Sequence, residues 1–276
     1  MRAMTLQEIQ QVNLEIMIDI HDFCVKHGIH YSLAYGTLIG AIRHKGFIPW
    51  DDDIDIMMTR PDFERFSKEY QSEKGFKLSS VNSDDTYINY TRVYDGRTLV
   101  ISPAKAAKYD IGVWVDIFPV DAISDDDAVS KDQYQRLRKY AAPVIKWRSY
   151  LRAKELNSVA RKIKSYIRLL QLRLTNKGDF SFWHQQIISI CKENSFGTTK
   201  RCSCLVCVEA NRDNKQAIFL TDWFKEYVTV PFEDQQFFII ADYDPVLKSI
   251  YGDYMRIPPK EEQVSHSLSK FSFFWK

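Results

Sequence analysis

Residues 35 to 58 read YGTLIGAIRHKGFIPWDDDIDIMM, and the end of this stretch decides the fold. Ile54 to Met58 is an apolar strand interrupted by one charge. Residues two apart on a strand point to the same side. Asp53 and Asp55 therefore aim two carboxylates at one place, while Ile54 and Ile56 enter a core. Two carboxylates that close repel, and burial adds to the cost. A divalent cation relieves both, and Mg²⁺ (or Mn²⁺) favours a few carboxylate oxygens together with substrate phosphates. The strand predicts a metal, and the metal predicts a phosphate-bearing substrate.

Upstream, Gly36 and Thr37 lie where a short strand, His30 to Ala34, gives way to a helix over 37–44. Glycine lets a phosphate approach the backbone, and a helix start offers free N–H groups and a positive dipole end. Thr37 adds a hydroxyl. Arg43, His44 and Lys45 close that helix; they either neutralise an anionic substrate or form an exposed helix end. Downstream, Asp116 is a lone acid within the apolar run VWVDIFPVD and supplies the third carboxylate. Three acids from two strands can hold two metals. A solvated acidic turn is the competing reading of Asp51 to Asp53. The alternating acids, the Gly-Thr step and Asp116 together favour a site, because buried unpaired acids are rare.

Around this motif the pattern predicts an α/β (α+β) fold, a mixed sheet flanked by helices with a helical insertion. Thr5 and Glu8 form a capping box for a helix over 5–27 that Gly28 stops. Ile9, Val12, Ile16, Ile20 and Phe23 form its apolar face. Pro61 opens a further helix. FKLSSV, YINYTRVY, TLVIS and GVWVDIF read as strands between 76 and 118. Long helical segments fill about 127–175. The last third holds the helix FSFWHQQIISICK, the strands SCLVCV and YVTVPF, and a helix DPVLKSIYGDYM ended by Pro258 and Pro259. The expected organisation is a core over 1–125, a basic helical insertion over 126–200, and a segment over 201–276 that completes the core.

The 276 residues suffice for a sizeable core, and 45% of them are hydrophobic. A net charge of +2 does not describe a general nucleic-acid binder, and no nucleic-acid partner is expected. No signal peptide is expected from the N-terminal pattern, and no apolar run approaches the ~18 residues of a spanning helix. The five cysteines are odd in number and point to reduced thiols in the cytoplasm. Cys202, Cys204 and Cys207 lack a paired metal-binding spacing and read as small apolar residues of a buried strand.

Charge is distributed unevenly. Between 131 and 177 about fourteen Lys and Arg face Asp132 and Glu155 alone. Val159, Ile163, Tyr166, Ile167, Leu170 and Leu174 make an apolar stripe on the same helix. Such a helix lies on an anionic membrane surface or packs on the core with a solvated basic face.

AYGTLIGAIRHKGFIPWDDDIDIMM, then WVDIFPVD, then PFEDQQFF…YDPVLKSIYGDYMRIPP, closely resembles the LicD family of phosphocholine transferases. That family is a branch of the nucleotidyltransferase superfamily related to the fukutin proteins. The likeness covers about 1–121 and 215–268. It implies transfer of phosphocholine from CDP-choline to a sugar hydroxyl of a teichoic acid or lipopolysaccharide precursor, and an acceptor carried on a membrane lipid is expected with it. It also implies that Gly36-Thr37 is the Gly-Ser step, that Asp53 and Asp55 are the metal-binding pair, and that Asp116 is the third acid. The run from Thr37 to Asp53 is longer than in many nucleotidyltransferases, which suggests a reshaped pocket. A quaternary ammonium favours an aromatic cage, for which Trp50, Trp114 and Tyr35 are the candidates, with core packing the competing reading. Arg92 is the candidate phosphate ligand. Rival readings are a glycerol- or ribitol-phosphate transferase, an NTP-dependent nucleotidyltransferase, and an inactive fold binding membranes or polyanions.

Overall fold

The computed structural model describes residues 1–79, 89–102, 107–109, 111–154, 159–209, 217–265 and 267–276. Parts of the expected strands FKLSSV and YINYTRVY lie outside these residues, as does His266. Among the described residues no helix is long and apolar enough to cross a membrane.

The chain opens with β1 (Arg2–Ala3) and α1 (Leu6–His27). The Thr5–Glu8 capping box forms as expected, and Gly28 caps the other end at φ 60°. Ile9, Val12, Ile16 and Ile20 are fully or almost fully buried under the sheet. β2 (Ser32–Leu33) leads into α2 (Tyr35–Ile39), which begins two residues before the expected helix. Its continuation, Gly40–His44, winds as a π-helix. The chain then doubles back so tightly that a Cβ on Gly40 would stand 2.4 Å from the Gly46 carbonyl oxygen.

β3 (Ile54–Thr59) carries the acid alternation and passes directly into α3 (Arg60–Glu69). β4 (Lys77–Ser79), β5 (Thr91–Tyr94), β6 (Thr98–Ser102) and β7 (Ala107–Tyr109) follow. β8 (Trp114–Ile123) is ten residues long, five beyond the expected end of GVWVDIF. That length lets it serve three neighbours. Along its whole middle it runs parallel to β3, its first residues pair antiparallel with β5, and Asp121 to Ile123 pair antiparallel with β9.

Helices α4 (Asp127–Lys154), α5 (Val159–Asn176) and α6 (Phe180–Cys191) come next. Their inner faces, with Leu137, Val144, Leu172, Trp183 and Ile187, form a second core cluster around Phe118. β9 (Arg201–Ser203) is shorter than the expected strand SCLVCV; Leu205–Glu209 turns as a 3₁₀ helix instead. Cys204, Leu205 and Val206 are all buried in the helical cluster, which a strand's alternation would not allow. β10 (Phe219–Leu220) ends the main sheet, whose order is β10-β9-β8-β3-β2, with β5 also on β8 and β4 on β5.

β11 (Tyr227–Phe232) and β12 (Gln235–Ile240) make a hairpin, and α7 (Tyr243–Tyr251) follows. α7 stops at Gly252, φ 66°, well before the expected prolines. β13 (Ser272–Trp275) pairs with β1 and β6 in a four-stranded sheet β1-β13-β6-β7. The result is a mixed parallel and antiparallel α/β architecture, as the sequence pattern led one to expect.

Behind the sheet the guanidinium of Arg60 pairs with Asp121 through two hydrogen bonds of 2.6 and 2.9 Å. Both side chains are almost wholly buried. This bond fixes the start of α3 against the end of β8.

Candidate active site

β3 and β8 run parallel with Asp55 directly opposite Asp116, and β5 sets Arg92 opposite Asp116 on the other flank. Three strands thus present Asp55, Asp116 and Arg92 in one row. Asp116 is bound through both oxygens. Arg92 donates from Nε to Oδ1 at 2.5 Å and from Nη2 to Oδ2 at 3.4 Å, and the Trp114 indole N–H donates to Oδ2 at 3.0 Å. Arg92 Nη2 also donates to the Tyr90 hydroxyl at 3.0 Å. Oδ1 accepts one donor and Oδ2 two, so Oδ1 keeps a further lone pair and Asp116 is oriented without being saturated.

Asp55 feels its neighbours strongly. Burial raises its carboxyl well above the usual range, and the charges of Asp53, Asp116 and Asp51 add to this; Arg92 opposes them. Asp51 is pushed up to about 8, first by burial, then by the charge of Asp53 and the hydrogen bond shared with it. The structure therefore sets Asp53, Asp55 and Asp116 within one another's field and adds Asp51, which is not among the acids expected from the sequence. The signal was present: residues 51, 53 and 55 share one parity, and the intervening Asp52 hides it.

Asp52 has a different task. It is buried, and its oxygens accept the backbone N–H groups of Ser267 at 2.9 Å and Leu268 at 2.5 Å. Its carbonyl accepts from Asn13 Nδ2 at 2.9 Å.

Carboxylate oxygens of Asp51, Asp52 and Asp53 lie within 4.8 Å of one another. With Asp52 engaged by backbone, the set that could hold a cation is Asp51 and Asp53 of this group, with Asp55 and Asp116 as the further carboxylates whose charges reach them. It consists only of hard oxygen ligands that repel one another, which fits Mg²⁺ or Mn²⁺.

The Gly-Thr step frames these acids. A Cβ on Gly36 would stand 2.8 Å from Asp51 Oδ2, so this glycine makes room for a carboxylate. The buried Thr37 hydroxyl accepts the Asp55 N–H at 2.9 Å and keeps its own proton to donate. No side chain caps the helix start at Ala34, and Tyr35 adopts a left-handed φ of 48°. Such strain in a non-glycine residue is held by its surroundings. Here the Tyr35 ring meets Phe118 edge-on, and its hydroxyl lies 3.8 Å from Cys207 Sγ. That sulfur is 2.8 Å from Cys204 Sγ.

The remaining candidates are dispersed. Arg43 Nη1 donates to the carbonyls of Tyr254 at 2.7 Å and Arg256 at 3.1 Å, tying the π-helix to the segment after α7. His44 packs edge-on against Trp50. Lys45 is exposed, at φ 62°, and its carbonyl accepts the Glu233 N–H at 2.8 Å. Among the described residues the rings of Trp50, Trp114 and Tyr35 pack against other partners rather than one another. Trp114 is stacked under the Arg92 guanidinium, 4.4 Å from its centroid, and also meets Phe271 and Phe273. The aromatic grouping that does form beside Asp116 is Tyr35, Phe118 and Tyr90, with Tyr90 4.6 Å from Phe118.

Tyr251 was also missed. Tyr251 is 44% exposed on α7, yet burial of its phenol and then the charges of Asp55, Asp51 and Asp53 raise it, so its hydroxyl lies within the field of the acids. Its place in YGDYM, within the motif at the C-terminal end, was the available clue.

A family model described as LicD/FKTN/FKRP, nucleotidyltransferase domain, matches residues 28–145, which include both acid strands. Two uncharacterized Rickettsia proteins match shorter stretches. That of R. prowazekii is 32% identical over 84 residues, 27% of this chain and 32% of its own. That of R. typhi is 43% identical over 54 residues, 20% of this chain and 18% of its own. Lipopolysaccharide cholinephosphotransferase LicD of Haemophilus influenzae is 32% identical over 279 aligned residues, covering 98% of each chain. By that end-to-end similarity, the chain belongs to the LicD family.

Proposed function

We propose that the chain transfers phosphocholine from CDP-choline to a sugar hydroxyl of a cell-surface glycan precursor, such as a teichoic acid or lipopolysaccharide, and releases CMP. The setting is cytoplasmic, and the acceptor is carried on a lipid. One observation carries the reading: Asp55 and Asp116 stand in register on parallel strands, inside a chain that aligns over 98% of its length with a cholinephosphotransferase.

Asp51, Asp53, Asp55 and Asp116 would hold Mg²⁺ or Mn²⁺. When bound, the cation supplies neutralising charge at the donor's phosphates. The chain's residues do the rest. Asp116, oriented by Arg92 and Trp114, takes the proton of the acceptor hydroxyl. The acceptor oxygen forms a bond to the choline-bearing phosphorus. The bond from that phosphorus to the CMP oxygen breaks, and the electron pair leaves with CMP. Thr37 donates its hydroxyl to a phosphate oxygen while holding Asp55 by its N–H. Tyr35, Tyr90 and Phe118 offer ring faces to the quaternary ammonium.

The test is CMP release from CDP-choline with Mg²⁺, with and without EDTA, beside Asp53→Asn. Metal-dependent release that the variant lacks supports the reading. Release from CDP-glycerol or CDP-ribitol but not CDP-choline would replace the head group. Pyrophosphate release from an NTP would replace the reaction.

A further inference from the structure

α5 shows two apolar faces. Its inner face carries Ser165, Leu169 and Leu172, all nearly fully buried. On the opposite side Val159, Ile163, Tyr166, Ile167, Leu170 and Leu174 are 73, 56, 53, 51, 59 and 72% exposed. They recur at spacings of three and four, so they form one continuous stripe along a helix of 18 residues. Soluble surfaces rarely present large apolar side chains in an unbroken row. The core does not account for this stripe, because the helix already packs through its other face.

The charges beside the stripe identify its partner. The sequence of α5 contains no Asp or Glu, and it contains Arg161, Lys162, Lys164, Arg168 and Arg173. Lys162 and Lys164 are exposed next to Ile163, and Arg168 is exposed next to Ile167. Ala160, Ile163, Lys164, Ile167, Arg168 and Gln171 together line a shallow groove on this outer side. A second copy of the chain meeting the same face would set these cations against their equivalents, which is repulsive. A surface with apolar depth and negative charge satisfies both features at once.

We propose that α5 docks the protein on an anionic lipid bilayer. The stripe from Val159 to Leu174 enters the region between headgroups and acyl chains, and the flanking cations meet lipid phosphates. The helix lies in the membrane plane and does not cross it. α4, which packs on α5, covers the 3₁₀ turn that carries Cys207, and Cys207 lies against Tyr35. α4 and this 3₁₀ turn thus stand between the docked face and Tyr35. The inference does not depend on which donor the site uses.

Vesicle flotation of the full chain tests it, using pure phosphatidylcholine against phosphatidylcholine containing phosphatidylglycerol. Wild type should float with the anionic vesicles, and added salt should weaken the binding. Ile163→Glu/Leu170→Glu should lose at least about tenfold in vesicle affinity. Each of Lys162→Gln and Lys164→Gln should lose roughly fivefold and reduce the salt dependence. All four positions are exposed, so thermal melts should match wild type, which separates lost docking from lost folding. Equal binding by wild type and the double Glu variant would overturn the proposal. So would a wild-type dimer by sedimentation, absent in that variant, with no vesicle binding by either.

Discussion

Asp55 and Asp116 are register partners on adjacent parallel strands, and Arg92 extends the row on the far side of Asp116. The Arg92 guanidinium pairs with the outer acid, so Asp55 faces Asp51, Asp53 and Asp116 with only partial compensation. Asp53→Asn and Asp55→Asn should each lower CMP release by roughly a hundredfold or more, the scale of losing a group that stabilises charge in the transition state. Removing one of several repelling acids should leave the melting temperature of the metal-free protein equal or higher. Turnover and a thermal melt on the same samples check both halves.

The acids also set a pH dependence. Asp51 rises to about 8 in the fold from an ordinary value near 4 when unfolded. A raised folded value means that the bound proton stabilises the native state. That contribution is fully present below about pH 4 and fades as pH rises through about 8. Metal-free protein should therefore lose stability between these limits, and Mg²⁺ should restore it most at the alkaline end. Calorimetric melts across pH, with Mg²⁺ and with EDTA, test the sign. An Mg²⁺ effect confined to acid pH would contradict it.

Thr37 supplies the acceptor for the Asp55 N–H. Thr37→Val leaves that donor without it, at a cost of about 1–3 kcal/mol, and should reduce turnover as the acid strand shifts. Thr37→Ser keeps the oxygen and should retain most of both. Denaturant unfolding beside CMP release distinguishes the two variants.

Arg60 and Asp121 form a buried ion pair remote from the donor chemistry. Arg60→Met leaves a buried carboxylate uncompensated and should cost about 3–5 kcal/mol of stability. The double variant Arg60→Met/Asp121→Leu should recover much of this. A double-mutant cycle from urea melts measures the coupling.

Tyr90 both holds Arg92 and stacks near Phe118. Tyr90→Phe should keep most of the affinity for CDP-choline if the ring face matters, while Tyr90→Leu should weaken it about threefold to thirtyfold. Affinity for CDP-glycerol should be insensitive to the Leu change. Titration calorimetry with both nucleotides reads the difference.

Much of this was visible in the chain before folding. The alternation of Asp53 and Asp55 with Ile54 and Ile56 gave both the strand and its polar edge, and the Thr5–Glu8 box gave the start of α1. Where the reading fell short, the missing information was long-range. Nothing local says that residues 92 and 116 are opposite one another, so Arg92 read as a phosphate ligand and not as the partner of Asp116. Trp114 sits beside an acid in sequence, but its ring face is taken by a guanidinium from another strand. Arg43 read as an anion ligand because its carbonyl partners lie more than two hundred residues away. Cys204 to Val206 alternate poorly because α4 buries all three, a tertiary demand that overrode strand propensity.

The grip of Asp52 on the N–H groups of Ser267 and Leu268 has a consequence for the timing of synthesis. These partners are separated by 215 and 216 residues. At translation rates of about 5–20 residues per second, that separation amounts to roughly ten to forty seconds. Throughout that interval the nascent chain carries its aspartate triplet without the backbone that will lock it. The pocket can reach its finished shape only after residues 267 and 268 have emerged from the ribosome, so a nascent chain still short of them has no completed acid cluster with which to engage a nucleotide.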